Sequence, residues 1–216
     1  MGIEKPSIYL FSKTPHSGVN HIPLLNTRHF FPSIDFSAYD LIIATSKEIF
    51  VSLLKMDDTW KKVLLLCVSE ATADAAKEAG SAVVEVAEGY GKSIEQRVLQ
   101  HHRAEKILYL RAKVVASDFA LVLRRAGVAV DEAVVYETFC NAEVLDVEIE
   151  EDAVLIFTSP SAVACFTSEH TLMPSQKLIA IGETTRAALP AERDVIMPQR
   201  PSVALAVALA KKISGG

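Results

Sequence analysis

An internal repeat constrains the fold of this chain more than any other feature of its sequence. The segment Leu41–Ser46 is similar to Val154–Ser159, and Val68–Thr72 is similar to Ile181–Thr185. Corresponding positions in the two pairs lie 113 residues apart. Solenoid repeats have periods of roughly 20–50 residues, so this spacing indicates a duplicated domain. A chain of 216 residues is long enough for two small domains, each with its own core, and we expect a ligand cleft between two such domains.

Short apolar and β-branched runs alternate with helical patterns in both halves of the chain. Continuous apolar runs are typical of strands that are buried on both faces of a parallel sheet. The alternation of strands and helices predicts two similar doubly wound α/β domains with about five strands each. The predicted strands are Ser7–Phe11, Ile22–Leu25, Asp40–Ala44, Val63–Val68, Ala82–Val86, Lys106–Leu110, Val128–Tyr136, Ala153–Phe157, Lys177–Ile181 and Asp194–Met197.

Glycine and capping residues predict several helix boundaries. The helical patterns Ala71–Ala79 and Asp118–Ala126 are followed by Gly80 and Gly127, and glycine is favoured directly after helix C-termini. Helix starts are predicted by capping boxes at Thr45–Glu48 and Ser93–Gln96 and by the pair Pro201-Ser202.

The two halves are predicted to differ after their equivalent strands Ile8–Leu10 and Leu108–Leu110. The connection Phe11–Asn20 contains Pro15 and Gly18 and is too short for the helix that fits after Leu110. We therefore expect the first half to lack its first helix or to keep one turn of it. The segments Asn26–Ser37 and Asp131–Asn141 are the predicted linkers between the domains.

Composition and charge exclude several classes of function. The net charge is −5 and no Lys/Arg block stands out, which argues against nucleic-acid binding through phosphate neutralisation. No apolar run reaches the roughly 20 residues of a membrane span, and Met1–Pro6 lacks the apolar region that is typical of a signal peptide. The three cysteines are odd in number and unpatterned, so we expect reduced thiols in a cytoplasmic protein.

Known catalytic and cofactor motifs are missing from the sequence. The six histidines show no metal-ligand spacing, and there is no Gly-x-Ser-x-Gly, P-loop or Gly-x-Gly-x-x-Gly. We therefore expect neither a metal ion nor a nucleotide or other cofactor.

Hydroxyl side chains follow several predicted strands in both halves. Ligands of open α/β sheets bind beyond the carboxyl ends of the strands, and helix N-termini there attract anions. This pattern predicts a site for a polar, anionic ligand, whereas the alternative is that each hydroxyl only caps its helix. The repetition in register favours binding by the set Thr45, Ser46, Ser69, Thr72, Thr158, Ser159, Ser161, Thr184 and Thr185.

Further candidates lie at other strand ends. Gly89, Tyr90 and Gly91 follow a predicted strand, and glycines there allow close approach of a ligand; the alternative is an ordinary loop. Tyr136 lies near the end of a long strand and is either a core or linker aromatic or a site residue. Three cationic residues lie near strand ends or starts, and each is either a site residue or an ordinary surface residue. They are Lys13, Arg111 and Lys177.

Ordered short segments resemble the uroporphyrinogen-III synthase family over nearly the whole chain. They are Tyr109-Leu110-Arg111, Gly127–Thr138, Phe157–Val163, Ile181–Thr185 and Pro201-Ser202. The resemblance implies two α/β domains joined by a two-stranded β-ladder, with the N-terminal strand in the C-terminal domain. The implied ranges are 1–24 plus 140–216 for domain one, 25–35 and 131–139 for the ladder, and 36–130 for domain two.

The resemblance also implies a reaction and roles for individual residues. The linear tetrapyrrole hydroxymethylbilane, which carries eight carboxylates, is closed into a ring with inversion of its last pyrrole and loss of water, without a cofactor or metal. Tyr136 matches the family's proposed acid, and Lys13 stands where the family often has arginine. Thr72 and Thr185 match the family's paired cleft threonines, and Ser159 and Ser161 match its serine pair. Together with candidates from the strand ends, the predicted substrate-binding residues are Lys13, Thr45, Ser46, Thr72, Gly89, Tyr90, Arg111, Ser159, Ser161, Thr184 and Thr185.

Two alternatives come from other classes of protein. One is a non-catalytic two-domain α/β protein that binds a small polyanionic ligand, and the other is a glycosyltransferase-like enzyme, for which the phosphate-binding loop is missing. With the resemblance, we expect a monomeric lyase whose small-molecule partner is the tetrapyrrole substrate. Its contact with the upstream bilane-forming enzyme would be transient, and neither nucleic acid nor membrane is an expected partner.

Overall fold

The chain divides into two compact units. The computed structural model describes residues 7–87, 91–115, 117–144 and 146–215. Unit 1 comprises Met1–Asn26 and Phe139–Gly216, and unit 2 comprises Thr27–Thr138. No helix within the described ranges combines the length and apolarity required to cross a membrane.

Strands and helices alternate along most of the described chain. The strands are β1 (Ile8–Phe11), β2 (Asn20–Ile22), β3 (Leu25–His29), β4 (Leu41–Ala44), β5 (Leu64–Cys67), β6 (Val84–Val86), β7 (Lys106–Ala112), β8 (Ala129–Cys140), β9 (Val154–Phe157), β10 (Lys177–Ala180) and β11 (Val195–Ile196). The α-helices are α1 (Glu48–Leu53), α2 (Glu70–Glu78), α3 (Gly91–His101), α4 (Phe119–Arg125), α5 (Pro160–Glu169), α6 (Glu183–Arg186) and α7 (Val203–Ser214).

Each unit is built on one sheet, and the two sheets share a strand order. The sheet of unit 1 has the order β11-β10-β9-β1-β2, and that of unit 2 has the order β6-β5-β4-β7-β8 with β3 added beside β8. Neighbouring strands from β11 to β2 and from β6 to β8 pair in parallel. The prediction of two similar parallel α/β units is confirmed.

Helices cover both faces of each sheet, because the central strands are apolar on both sides. In unit 2, one face packs against α1, α2 and Trp60, and the other against α3 and α4. In unit 1, one face packs against α5 and the other against α7. The central strands of each sheet are therefore buried on both faces, as their continuous apolar sequences predict.

Some predicted boundaries are confirmed and others are wrong. Gly80 and Gly127 follow α2 and α4 with φ angles of 97° and 84°, the conformation that glycine tolerates best. Ser93 lies inside α3 and does not cap it. The N-cap of α1 is Lys47, which makes no side-chain cap hydrogen bond. Both capping-box predictions were wrong. The sequence pattern of a capping box is short and local, and it does not fix the residue at which the helix begins.

The predicted linker Asn26–Ser37 overlaps strand β3, which lies within the range 25–35 that the resemblance implies for the ladder. Its side chains alternate between half-buried and exposed positions, and its sequence Leu-Asn-Thr-Arg-His has no apolar run to indicate a strand. Hydrogen bonding of β3 beside β8 supplies the stability that local sequence does not. The connection between β1 and β2 contains turns and no helix, as its short length predicts.

The expectation of three reduced cysteines was wrong. Cys140 and Cys165 form a disulfide, with Cα atoms 5.4 Å apart and a sequence separation of 25. Cys140 ends β8 and Cys165 lies on α5, so only the tertiary structure of unit 1 brings the two together. Cys67 is free and buried, and burial raises the pKa of its thiol to about 12.

Candidate active site

In unit 2, two polar segments follow adjacent strands at the carboxyl edge of the sheet. Thr45 and Ser46 come directly after β4, and Ser69 and Thr72 come after β5. Because β4 and β5 are parallel neighbours, these segments lie at the same edge. The Thr45 Oγ1 is 3.3 Å from the Tyr109 hydroxyl on β7, so a third strand contributes to this polar edge.

The helix-capping alternative holds for Ser69, and the Ser46 Oγ likewise accepts a hydrogen bond from the Glu48 N–H of α1 at 3.2 Å. Ser69 is the N-cap of α2, and its Oγ accepts a hydrogen bond from the Thr72 backbone N–H at 3.4 Å. The Thr72 Oγ1 is 3.1 Å from the Ser69 Oγ, and Thr72 is only 5 % exposed. Thr72 is thus a buried hydroxyl on the first turn of α2 that the cap itself does not require.

The repeat-equivalent residues of unit 1 have partly different roles, because the capping serine follows β9 there and β5 in unit 2. Ser159 is the N-cap of α5 and accepts from the Ala162 N–H at 3.1 Å. The Thr158 Oγ1 donates to the Phe11 carbonyl at 2.7 Å and so ties β9 to β1. Thr185, the repeat equivalent of Thr72, is 1 % exposed on α6, whereas Ser161 and Thr184 are exposed.

The candidate cations occupy three different settings. Lys13 is exposed in the connection after β1. Arg111, on β7, forms an ion pair with Glu132 and donates to the carbonyls of Ala112 and Lys113 at 3.0 and 3.2 Å. Lys177 is the first residue of β10 and lies at the opposite edge of its sheet from the hydroxyl side chains. A ligand carboxylate would therefore share Arg111 with Glu132.

Tyr136 lies on β8 beside an irregularity of the sheet. The pairing of β7 with β8 shifts register between Arg111 and Ala112, so that Ala112 is opposite Tyr136. The Lys113 N–H donates to the Tyr136 carbonyl at 2.8 Å, and Tyr136 is 9 % exposed. Burial raises the pKa of the Tyr136 phenol, a hydrogen bond with Ser46 lowers it, and the charge of Glu48 raises it. The Tyr136 phenol is therefore protonated at neutral pH, and its raised pKa makes it a weaker proton donor than an exposed tyrosine.

Sequence reasoning missed three residues of this region. The Glu48 carboxylate is 3.3 Å from the His29 Nε2, and the rings of His29 and Tyr136 have centroids 6.5 Å apart. Burial is also the main reason that the pKa of Tyr109 is raised. Tyr109 carried a signal, because Tyr9 occupies the matching position of the first half; His29 lay in a predicted linker and carried none.

The remaining candidates, Gly89 and Tyr90, lie outside the described residues. A polar pocket of about 490 Å³ adjoins the end of β6 before them, and it is lined by Val86, Ala87, Ser93, Gln96, Arg97 and Gln100. A Cβ at Gly91 would overlap with the Ser117 Oγ, so packing alone requires this glycine. Among the described residues, no three His, Cys, Asp or Glu side chains form a cluster that could hold a metal ion.

The chain is similar in sequence to one protein family and in fold to several solved structures. The uroporphyrinogen-III synthase HemD family model matches residues 18–210, whereas no curated protein sequence matches significantly. The uroporphyrinogen-III synthetase structure from Helicobacter pylori 26695 superimposes with a TM-score of 0.79 at 21 % identity, covering 96 % of this chain and 99 % of that one.

Two further similar structures come from the extremely thermophilic bacterium Thermus thermophilus. Its uroporphyrinogen III synthase superimposes with a TM-score of 0.55 for a mutant form, at 16 % identity over 87 % of this chain and 94 % of that one. The wild type gives 0.51, at 18 % identity over 97 % and 99 %. At such identities the structures establish the fold alone, but the family model spans most of the chain. The protein therefore belongs to the uroporphyrinogen-III synthase family.

Proposed function

We propose that this enzyme closes hydroxymethylbilane into uroporphyrinogen III, with inversion of the last pyrrole ring and loss of water, and that it is in this sense a lyase. The observation that carries the proposal is the family match over residues 18–210. The reaction needs no cofactor or metal, because the pyrrole nitrogen itself drives out the leaving hydroxyl.

The substrate's carboxylates would be bound by hydroxyls and helix N-termini. The N-termini of α2 and α5 carry partial positive charge, and Ser69 and Ser159 cap them. Thr72 on α2 and Thr185 on α6, which are buried, would donate hydrogen bonds to carboxylates of the substrate. Such charge-assisted hydrogen bonds are about twice as strong as neutral ones, which suits a polyanionic substrate on an acidic protein. The further substrate-binding residues in this proposal are Lys13, Thr45, Ser46, Gly89, Tyr90, Arg111, Ser159, Ser161 and Thr184.

Tyr136 would act as the general acid. The phenol O–H bond breaks, its proton joins the leaving hydroxyl as water, and the C–O bond of the hydroxymethyl group breaks. The pyrrole nitrogen lone pair then stabilises the resulting azafulvene cation. The substituted carbon of the last pyrrole attacks this cation and gives a spiro intermediate. The older bond from that carbon to its neighbouring bridge carbon then breaks, which leaves a second azafulvene cation, and that bridge carbon bonds to the unsubstituted α-carbon of the same pyrrole. The proton that this α-carbon loses returns to the Tyr136 phenolate.

The rest of the catalysis is positioning of the reacting carbons. Holding two reacting centres in the right geometry can supply ~7–11 kcal/mol of a barrier, so a site without a catalytic triad is adequate for this reaction. We propose that the protein works as a monomer in the cytoplasm and receives the bilane through transient contact with the enzyme that forms it.

The isomer ratio of the product tests this function. Hydroxymethylbilane closes spontaneously to the type I isomer, so EDTA-treated protein should yield type III, and type I alone would refute the proposal. Tyr136→Phe should lower kcat roughly 10–100-fold, at or below the usual range for general acids, with type III still formed by the enzymatic fraction. Tyr39→Phe is the matched control, since Tyr39 donates to Asp131 away from the site.

A binding protein without catalysis is the second outcome of the same experiment. Such a protein would bind the product tightly but leave the rate and the isomer ratio of ring closure unchanged. A Tyr136→Phe variant with the wild-type rate would instead leave the function intact and make Tyr136 a linker residue.

A further inference from the structure

Three charged side chains of unit 2, Arg111, Glu132 and Arg124, form a cluster that we call the arginine triad. Glu132 of β8 lies opposite Tyr109 of β7, and Arg111 follows Tyr109 by two residues, so its side chain lies on the same face of the sheet. The Glu132 Oε2 forms an ion pair with the Arg111 Nε, and the Glu132 Oε1 accepts a hydrogen bond from the Arg124 Nη2 of α4 at 2.7 Å. Each oxygen of this one carboxylate thus contacts a different guanidinium.

The contacts of the Arg111 guanidinium leave one of its amino groups available. Its Nη1 donates to the carbonyls of Ala112 and Lys113 at 3.0 and 3.2 Å, and its buried Nε contacts Glu132 by charge and not as an aligned hydrogen-bond donor. Among the residues that the structure describes, none accepts a hydrogen bond from Nη2. A guanidinium has five N–H donors, and Arg111 is the penultimate residue of β7, so Nη2 can bind a carboxylate at the carboxyl edge of the sheet.

Arg124 determines the net charge of the arginine triad. Its Nη1 donates to the Val130 carbonyl at 3.2 Å, so both terminal nitrogens of Arg124 are attached to β8. With Glu132 as the only partner, the positive charge of Arg111 would be neutralised. Because the triad has two guanidiniums and one carboxylate, it keeps a net positive charge, which attracts a polyanion at short range.

We infer that Glu132 is a positioning residue for Arg111, whose Nη2 binds a carboxylate of the substrate, and that Arg124 preserves the positive charge there by sharing the Glu132 carboxylate. The inference rests on the proposed function, in which Arg111 is one of the substrate-binding residues. It deepens that function, because it names two residues that act on the substrate through Arg111. A guanidinium that is held in place before the ligand arrives avoids an ordering cost equivalent to about twofold to tenfold in affinity.

Glu132→Gln tests the positioning, because two explanations of this carboxylate predict opposite effects. If the charge of Glu132 only repels the substrate, its removal tightens binding of the product, as measured by calorimetry. If Glu132 positions Arg111, its removal should weaken binding by about twofold to tenfold and raise KM by a similar factor with kcat unchanged. Glu78→Gln removes the same charge from an exposed position on α2 and should not weaken binding. Tighter or unchanged binding in Glu132→Gln overturns the inference.

Arg124→Gln tests the part of the inference that concerns charge. The Arg124 side chain is 40 % exposed, so the variant should weaken product binding by only about twofold to fivefold, as expected for an exposed ion pair. Arg124→Lys keeps the charge and should retain most of the affinity. Arg125→Gln removes the same charge from the next residue of α4, which is also exposed, and should have a smaller effect. Equal losses for Arg124→Gln and Arg125→Gln would indicate a general effect of net charge, and the role of Arg124 would be wrong.

A double-mutant cycle with Arg111 shows whether both residues act through it. Arg111→Ala should itself weaken product binding about tenfold to a hundredfold, as expected for loss of a hydrogen bond to a charged group. In that background, Glu132→Gln and Arg124→Gln should cause no further loss. Losses that add in full would show that the two residues act independently of Arg111 and would overturn the inference. The fluorescence of Trp60, which is buried in unit 2, checks that each variant is folded.

A measurement without ligand separates this inference from the proposed function. In protein labelled with ¹⁵N-arginine, the side-chain Nε signal that disappears from the NMR spectrum of Arg111→Ala belongs to Arg111. Glu132→Gln should shift that signal, whereas Glu78→Gln should not. An unmoved signal overturns the positioning even if type III product forms. If the wild-type protein binds no product, the proposed function fails, and a moved signal still upholds the positioning of Arg111 by Glu132.

Discussion

The two units keep the same strand order although one of them lacks a helix. In unit 2, α4 lies between β7 and β8, and its residues Phe119 and Leu123 fill the core against α3. In unit 1, only residues 12–19 connect β1 to β2, and among the described residues α7 is the one helix packed on that face of the sheet. Parallel pairing of β1 with β2 is retained. The order of strands is therefore set by pairing of the strands, whereas a connecting helix can be lost when another helix covers the exposed face.

The short connection of unit 1 is attached to α7 instead. The Lys211 Nζ donates to the Ser17 carbonyl at 3.3 Å, next to Gly18, whose φ of 75° lies in the left-handed region. A side chain at Gly18 would come within 2.7 Å of the same Nζ. A tight glycine turn fixed by one lysine thus occupies the place where unit 2 has a helix.

The units also differ in their covalent links. Unit 1 contains the Cys140–Cys165 disulfide, whereas unit 2 contains the free and buried Cys67. A disulfide stabilises by restricting the unfolded chain, so its effect should be confined to the unit that contains it. This difference allows the stabilities of the two units to be separated by experiment.

The largest expected effect is that of breaking the disulfide. Because the bridged cysteines are 25 residues apart, Cys140→Ser with Cys165→Ser should lower the free energy of unfolding of unit 1 by about 3 kcal/mol. Hydrogen exchange of unit 1 amides measures this change. Trp60, the chain's one tryptophan, is buried in unit 2. The denaturant concentration at the midpoint of its fluorescence transition should therefore not change. An equal shift of both signals would show that the units unfold together.

Variants of the paired threonines Thr72 and Thr185 test whether the two units bind the product in equivalent ways. Thr72→Ala and Thr185→Ala should each weaken product binding by about 1.5–3 kcal/mol, the value of a hydrogen bond to a charged group, as measured by calorimetry. Thr167→Ala, on the exposed side of α5, is the matched control. Weaker binding for one threonine alone would mean that the two units contribute unequally, and normal binding with lower stability would assign both to folding.

Variants at the helix N-caps have the smallest expected effects on the free energy of unfolding. They allow the two units to be compared, because each unit contains a capping serine. Ser69→Ala and Ser159→Ala should each lower the free energy of unfolding by about 1 kcal/mol, since each hydroxyl accepts from a backbone N–H of its helix. Gly182 is the N-cap of α6 and offers no side-chain hydrogen bond. Gly182→Ser should raise stability by only a few tenths of a kcal/mol, because a Cβ there would meet nothing closer than 3.6 Å. Denaturant melts measure all three, and a loss above about 2 kcal/mol for either serine would indicate more than capping.

Local pattern was sufficient for the elements that have strong local signals. The apolar runs predicted the central strands because a strand buried on both faces must be apolar throughout. Gly80 and Gly127 marked helix ends because few other residues adopt their positive φ angles. Strand β3 had no such signal, since it is half-buried and exists because β8 lies beside it.

The sequence by itself determined the duplicated α/β architecture, the family resemblance and the hydroxyl residues that follow the strands, because these depend on residue type and spacing along the chain. Only the tertiary structure decided which hydroxyls cap helices, that Arg111 pairs with Glu132, and that Cys140 meets Cys165. It also brought His29 and Glu48 to Tyr136. These contacts join residues far apart in the chain, and their distances are set by the packing of helices on sheets, which no local pattern encodes.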